Sequence, residues 1–273
     1  GLTRLWRLRS SIAQITNLFK IKPEISERQH VSLRAKGKGQ VQFSNVALRY
    51  GRESEPAIAG LNFTVEPGES MSIVGDNGSG KSSILKMAAG LYPPSVGSVR
   101  LDGRDVRQLD PLYLRHLIAF APQTPQFFEG SIRENLAYAN AIASEDDMII
   151  ALELAGALEA VEAMKKGLDT DAVLHGHTLL PYSLAIRLSL ARAYIKKAPV
   201  VILDEPINGL DIEGDFAFVS ALESLKRTST VLTVTHRPGH IRSTDKVLYL
   251  ERGRVKFFGP LTGNEDRLFN SLM

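Results

Sequence analysis

Apolar residues recur along this chain in two periods, and the change from one to the other divides it. From Leu5 to Phe19 the positions Leu5, Leu8, Ile12, Ile15 and Phe19 follow three- and four-residue steps, the single stripe of an amphipathic helix. Pro23 ends that pattern, and the polar run from Ser26 to Gln40 reads as a linker. Near Val41 the period becomes two: VQFSNVALRY alternates as a half-buried strand does. LNFTV follows, then SMSIVG, a short apolar strand running straight into glycines, and SVRLDGRDVRQL reads as a hairpin turning at Asp102-Gly103. Between Ser131 and Lys166 the chain is rich in Ala, Glu and Leu, lacks Pro, and has a helical period. After it come a helix (AIRLSLARAYIKKA), an apolar strand (PVVILDE), a helix (DIEGDFAFVSALESLKR) and a strand (TVLTVTH). Strands alternating with helices predict a parallel sheet covered on both faces. The expected fold class is α/β with a helical insertion, and no internal repeat is visible.

Composition narrows the picture by exclusion. The 273 residues are 44% hydrophobic and 23% charged, an ordinary globular balance that rules out disordered and low-complexity classes. The absence of cysteine removes disulfides, thiol nucleophiles and thiolate metal sites. No apolar run reaches the roughly 18–20 residues of a membrane-spanning helix, and no signal-peptide pattern opens the chain. The net charge of +3 conceals an asymmetry, because residues 1–38 hold nine Lys or Arg against only Glu24 and Glu27. A nucleic-acid surface, a segment lying just inside a membrane and a solvated helix face all fit that excess.

The strongest chemical signal is Gly75-Asp76-Asn77-Gly78-Ser79-Gly80-Lys81-Ser82, which fits G-x-x-x-x-G-K-[ST] between a predicted strand and a predicted helix. Such glycines let the backbone wrap a phosphate with its N–H groups inward, and the helix N-terminus adds partial positive charge. The lysine of this pattern, Lys81, reaches the β and γ phosphates, and the Ser82 hydroxyl takes a position on Mg²⁺. A glycine-rich turn without function is the plain alternative. Val200-Val201-Ile202-Leu203-Asp204-Glu205 supplies the acids such a loop needs at the end of a neighbouring strand. Asp204 is expected to hold Mg²⁺ through water and Glu205 to polarise the attacking water as general base.

Together these residues resemble the ATP-binding cassette (ABC) ATPases, over nearly the whole chain. The resemblance implies a P-loop core whose parallel sheet is flanked by helices, an antiparallel β arm and a helical subdomain. Residues 1–40 then correspond to the cytoplasmic extension of a last spanning helix plus linker, and residues 41–273 to the nucleotide-binding domain, with its helical subdomain at about 130–183. ATP and Mg²⁺ are the implied ligands, with Gly75, Asn77, Gly78, Ser79, Gly80, Lys81, Ser82 and Ser83 around the phosphates. Tyr50 resembles the aromatic that stacks on adenine, and Gln123, in FAPQTPQFFEGSIRENL, the glutamine that reaches Mg²⁺ and the attacking water. His236 resembles the switch histidine on the γ phosphate, and Asn208-Gly209-Leu210-Asp211 the loop that crosses to a partner cassette. The segment after Gln123 is similar to exporter cassettes in particular.

One motif departs from the family. Its L-S-G-G-Q stretch, which closes over ATP held by the other cassette, is replaced by Leu180-Pro181-Tyr182-Ser183-Leu184. Pro181 removes a hydroxyl and a backbone donor, and Tyr182 puts a large side chain where only hydrogen lets a phosphate approach. The upstream AVLHGHTL also departs from V-G-E-x-G. The expectation is an ATPase at the cytoplasmic face of the cell membrane, powering an exporter. Its partners are a second, non-identical cassette with an intact closing stretch and the transmembrane domain of the same polypeptide; nucleic acid is not among them. A poorly hydrolysing homodimeric cassette and a soluble non-transport ABC ATPase are the alternatives.

Overall fold

The computed structural model describes residues 16, 37–51, 55–206, 210 and 212–261. The amphipathic stripe from Leu5 to Phe19 lies outside them except for Thr16, and so do Asn208, Gly209 and Asp211.

The sheet on which the site stands has the order β13-β12-β3-β11-β10-β6. Its strands are β3 (Ser70–Gly75), β6 (Ile118–Ala121), β10 (Val200–Asp204), β11 (Thr230–Val234), β12 (Lys246–Glu251) and β13 (Arg254–Gly259). All neighbours pair in parallel except the edge hairpin β12–β13. Side chains alternate across it, so Val200, Ile202, Leu232 and Val234 enter one core while Val201, Leu203 and Val231 enter another. Burial on both faces is why these strands read as unbroken apolar runs.

The first core lies under an antiparallel arm of order β2-β1-β4-β5, built from β1 (Val41–Leu48), β2 (Ile58–Val65), β4 (Val96–Leu101) and β5 (Arg104–Asp105). Helix α1 (Lys81–Ala88) follows β3 into this core, and α2 (Pro111–Leu117) leads directly into β6. The second core contains α3 (Ile132–Ala139), α4 (Glu145–Leu154), α5 (Leu158–Glu162), α6 (Tyr182–Ile195) and α7 (Ile212–Leu225). A short helix α8 (Pro238–Arg242) follows β11.

The helical run expected from Ser131 to Lys166 is three helices rather than one. Capping boxes at Ser131 with Glu134 and at Ser144 with Asp147 start α3 and α4, and Gly156, at φ 63, stands just before α5. A small antiparallel ribbon also crosses this region, made of β7 (Gly130–Ser131), β8 (Asp171–Leu174) and β9 (His177–Thr178). It closes on a two-residue turn at His175 and Gly176, both at positive φ.

The Asp102-Gly103 turn is present, with both residues in the left-handed region that a type I′ hairpin requires. The Asp102 carboxylate also accepts hydrogen bonds from the backbone N–H groups of Lys38, Gly39 and Gln40, each at 2.9 Å. One side chain thereby fixes the turn and the segment that enters β1. Asp102→Ala is expected to cost about 2–3 kcal/mol in urea denaturation, and Asp102→Asn, which keeps the turn preference and one acceptor, about half of that.

Candidate active site

Parallel pairing brings four strand ends to one edge. Register places Val234 opposite both Asp204 and Ile73, Leu203 opposite Ala121, and Leu250 opposite Gly75. Gly75 is therefore at the same level as Glu205, His236 and Gln123, each within two residues of its strand's paired end. Crevices outside the carboxyl ends of parallel strands are where α/β folds bind ligands.

The loop after β3 is built around a close approach. Gly75 sits at φ 145, where an added Cβ would meet the Leu250 carbonyl oxygen at 2.2 Å and Ser79 Oγ at 2.9 Å. Gly80, at φ 99, caps α1 in the left-handed conformation, and a Cβ there would strike Ile58 Cδ1 at 2.3 Å. Asn77 and Gly78 form the exposed tip, while Ser79 is buried with no partner for its hydroxyl. An orphaned buried hydroxyl inside a helix-capping glycine loop fits an anion cradle. Lys81, buried at the first helical position, donates from Nζ to the carbonyl oxygens of Gly75 at 2.7 Å and Asp76 at 3.0 Å.

The acids complete the edge. Asp204 is buried, and Ser82 Oγ donates to its Oδ1 at 3.0 Å. Burial pushes the Asp204 carboxyl above the ordinary carboxylate range; the Ser82 hydrogen bond pulls it back, the Glu205 charge adds to the rise, and Lys86 and Lys81 oppose it. Glu205 follows at φ 47, a left-handed conformation that a non-glycine residue holds at a cost. Gln123 Nε2 donates to Glu205 Oε2 at 2.7 Å, which joins the ends of β6 and β10. The oxygens of Ser82, Asp204 and Gln123 suit a hard cation such as Mg²⁺.

His236 is exposed beyond the end of β11. Tyr50 is 63% exposed, packs edge-on against Tyr92 at 5.8 Å, and its hydroxyl shares a 2.6 Å hydrogen bond with Ser83 Oγ. Every site residue expected from the sequence thus lies within the described residues, and Ser82, Gln123, Asp204 and Glu205 are brought into direct contact in two pairs. Tyr92 beside Tyr50 has no signature in residue order, because only the fold brings the loop after α1 to that position.

The departing stretch begins α6. Pro181 occupies the N-cap position without a side-chain hydrogen bond, Tyr182 is the first helical residue and 57% exposed, and Leu180 and Leu184 are buried. Proline can neither donate a backbone hydrogen bond nor cap with an oxygen.

A P-loop NTPase core carrying an antiparallel arm and a helical segment is the class this fold and site define. The family model described as ABC transporter matches residues 58–208. The chain belongs to the ABC transporter family. It is 39% identical over 215 residues to the mycobactin import ATP-binding/permease protein IrtB of Mycolicibacterium thermoresistibile, covering 79% of this chain and 37% of that protein. It is 32% identical over 269 residues to ABC transporter B family member 4 of Dictyostelium discoideum, covering 98% of this chain and 34% of that protein. A solved bacterial Atm1-family ABC exporter with ATP bound superposes with a TM-score of 0.85 at 26% identity, over 96% of this chain and 46% of that one. The chain thus spans about a third to a half of the length of these three proteins. Among the described residues, no helix is long and apolar enough to cross a membrane.

The raised Asp204 makes a stability prediction for the nucleotide-free, metal-free chain. A carboxyl whose folded pKa lies above its unfolded one weakens the fold as pH rises through that interval, and the penalty is complete above it. Asp204→Asn removes the buried charge and keeps an acceptor for Ser82. It is expected to melt a few degrees above the native chain at neutral pH, with the gap closing as the pH falls below the ordinary carboxylate range.

Proposed function

We propose that this chain is the ATP-hydrolysing cassette of a membrane transporter, paired in the working protein with a second, non-identical cassette. One contrast carries the reading: the groups needed to bind and cleave ATP stand together at one sheet edge, while the stretch this chain would lend to a partner has lost its donors. Residues 41–273 act as the cassette, with the helical subdomain at about 130–183, and residues 1–40 join it to the spanning helices.

The geometry supports the following roles. The backbone N–H groups of Asn77 to Ser83 and the N-terminus of α1 bind phosphate oxygens. Lys81 exchanges the Gly75 and Asp76 carbonyls for the β and γ phosphates. The exposed Tyr50 ring stacks on adenine, and Ser83, joined to its hydroxyl, lies on the α1 side of the phosphates. Ser82, Asp204 and Gln123 would hold Mg²⁺, which neutralises charge developing on the transferred phosphoryl group. Glu205 accepts a proton from water as the water's oxygen bonds to phosphorus and the bond to the ADP oxygen breaks. Gln123 holds the Glu205 carboxylate in place for that transfer, and His236 contacts the γ phosphate, the group whose loss ends the closed state.

A groove of about 550 Å³ between the core sheet and the helical segment suits the membrane-spanning part of the same polypeptide. Phe127, Phe128 and Tyr138 line it together with Arg115, Arg192 and Lys196, and no carboxylate is among its lining residues. Such a groove supports a position at the cytoplasmic face of a membrane. Its relatives' names differ in cargo and direction, from mycobactin import to a lipid A-core flippase of Vibrio parahaemolyticus. The cassette therefore carries no reading of either.

The test is the ATPase rate of the purified chain against its own concentration, with Glu205→Gln as blank. A low specific rate that stays flat with concentration, with ATP still bound, is expected. Pro181→Ser combined with Tyr182→Gly should raise it at least tenfold by restoring the closing stretch, about 1.4 kcal/mol of barrier. A rate that climbs with concentration in the unaltered chain would instead establish a productive homodimer.

A further inference from the structure

We propose that Asp215 is a positioning residue that ties the His236 segment to the first turn of α7, an inference that rests on the role given to His236 above. Two segments converge here. One is the first turn of α7; the other is the stretch from Thr235 through α8, which carries His236.

The Asp215 carboxylate joins them through a single oxygen. Its Oδ1 accepts from Arg237 Nη1 and stands 2.7 Å from His240 Nε2. Arg237 directly follows His236, and His240 lies four residues after it. The grip is reinforced by packing: His240 is 1% exposed, and its ring rests 4.8 Å from that of Phe218, one turn along α7 from Asp215. Arg237 N–H also donates to Thr235 Oγ1 at 3.2 Å, so His236 is flanked by two anchored residues while its own side chain is exposed.

The arrangement does not pay for itself as a stabilising feature. His240 Nε2 touches Asp215 Oδ1 without directional hydrogen-bond geometry and Nδ1 has no partner, so the ring is held by close contact and by the face of Phe218 rather than by a charge pair. Burial pushes its pKa below the usual imidazole range, against Asp215 and with Arg237. A stack of apolar side chains would hold α8 on α7 with less desolvation. What the Asp215–Arg237 grip adds is direction: it fixes the backbone next to His236 to one turn of α7, a contiguous link between the helix and the histidine.

The test uses the whole 273-residue chain with Asp215→Asn, Asp215→Glu and His240→Phe. In the nucleotide-free protein, Asp215→Asn should speed amide exchange across residues 235–242 about tenfold while leaving the β3 and β10 peptides unchanged. In turnover assays, run with Pro181→Ser and Tyr182→Gly in place, it should lower kcat about tenfold, with the ATP concentration for half-maximal rate within twofold of that background's value and the melting temperature little changed. Asp215→Glu should restore most of both effects. His240→Phe, which keeps the ring on Phe218 and leaves Arg237 paired, should give a smaller change of the same kind. Unchanged exchange in Asp215→Asn overturns the proposal, as does a joint fall of melting temperature, ATP affinity and kcat that Asp215→Glu does not rescue. Absence of ATPase even with Pro181→Ser and Tyr182→Gly in place, together with faster exchange in Asp215→Asn, would leave the link standing and overturn the hydrolytic reading alone.

Discussion

The site depends on β11 lying between β3 and β10. Strands in a sheet are about 4.8 Å apart, so the strand that feeds the phosphate loop and the strand that ends in the two acids are separated by about 10 Å. That gap is bridged over the end of β11 by Ser82, whose hydroxyl reaches Asp204 at 3.0 Å. β11 is buried along its whole length, including Thr230 and Thr233, and this burial leaves it no freedom to slide. A one-residue slip would reverse which side chains enter which core and would carry His236 away from the edge. The exposed histidine is therefore placed by apolar neighbours that take no part in chemistry.

Around that edge Lys81 and the pairs Ser82–Asp204 and Gln123–Glu205 already have internal partners. Lys81 rests on two carbonyls, Ser82 on Asp204, and Gln123 on Glu205. Binding phosphate at such a site is an exchange of hydrogen bonds rather than the desolvation of free charges, which keeps the net cost of entry small. Ser79 is the exception, a buried hydroxyl with no partner to give up. Glu205 carries a second kind of readiness, because its left-handed backbone is maintained by the strand before it.

Much of this was legible from residue order. The phosphate loop, the acidic strand and the central helix α6 depend on local patterns: glycines at fixed spacing, a fully apolar run, and an apolar surface all round a helix. The hairpin at Asp102-Gly103 was legible for the same reason. The run from Ser131 to Lys166 keeps a helical period throughout, and its breaks follow local signals, two capping serines and Gly156, to which the period itself is blind. Other features are decided by tertiary contact. The strands β12 and β13 went unread although Glu251-Arg252-Gly253-Arg254 turns between them, since β12 earns its place by pairing with β3 from far along the chain. The grouping of Asp215, Arg237 and His240 has no spacing signature at all.

The departure at Pro181 and Tyr182 bears on the same division between local and distant causes. A missing N-cap ordinarily weakens a helix by about 1 kcal/mol, so these residues could have been a liability for α6 itself. They are not, because ten of its fourteen residues are buried and tertiary packing, rather than its first turn, holds the helix. The chain thus tolerates a proline and an exposed tyrosine at this position without loss to its own core or to the contacts of Lys81, Asp204 and Glu205. Whatever the substitution costs falls outside this chain, at the helix N-terminus that would face another molecule's phosphate. In a homodimer that cost would fall on both sites, whereas beside a non-identical cassette it would fall on one and leave the other intact, and that difference is the physical basis of the proposed unequal pairing.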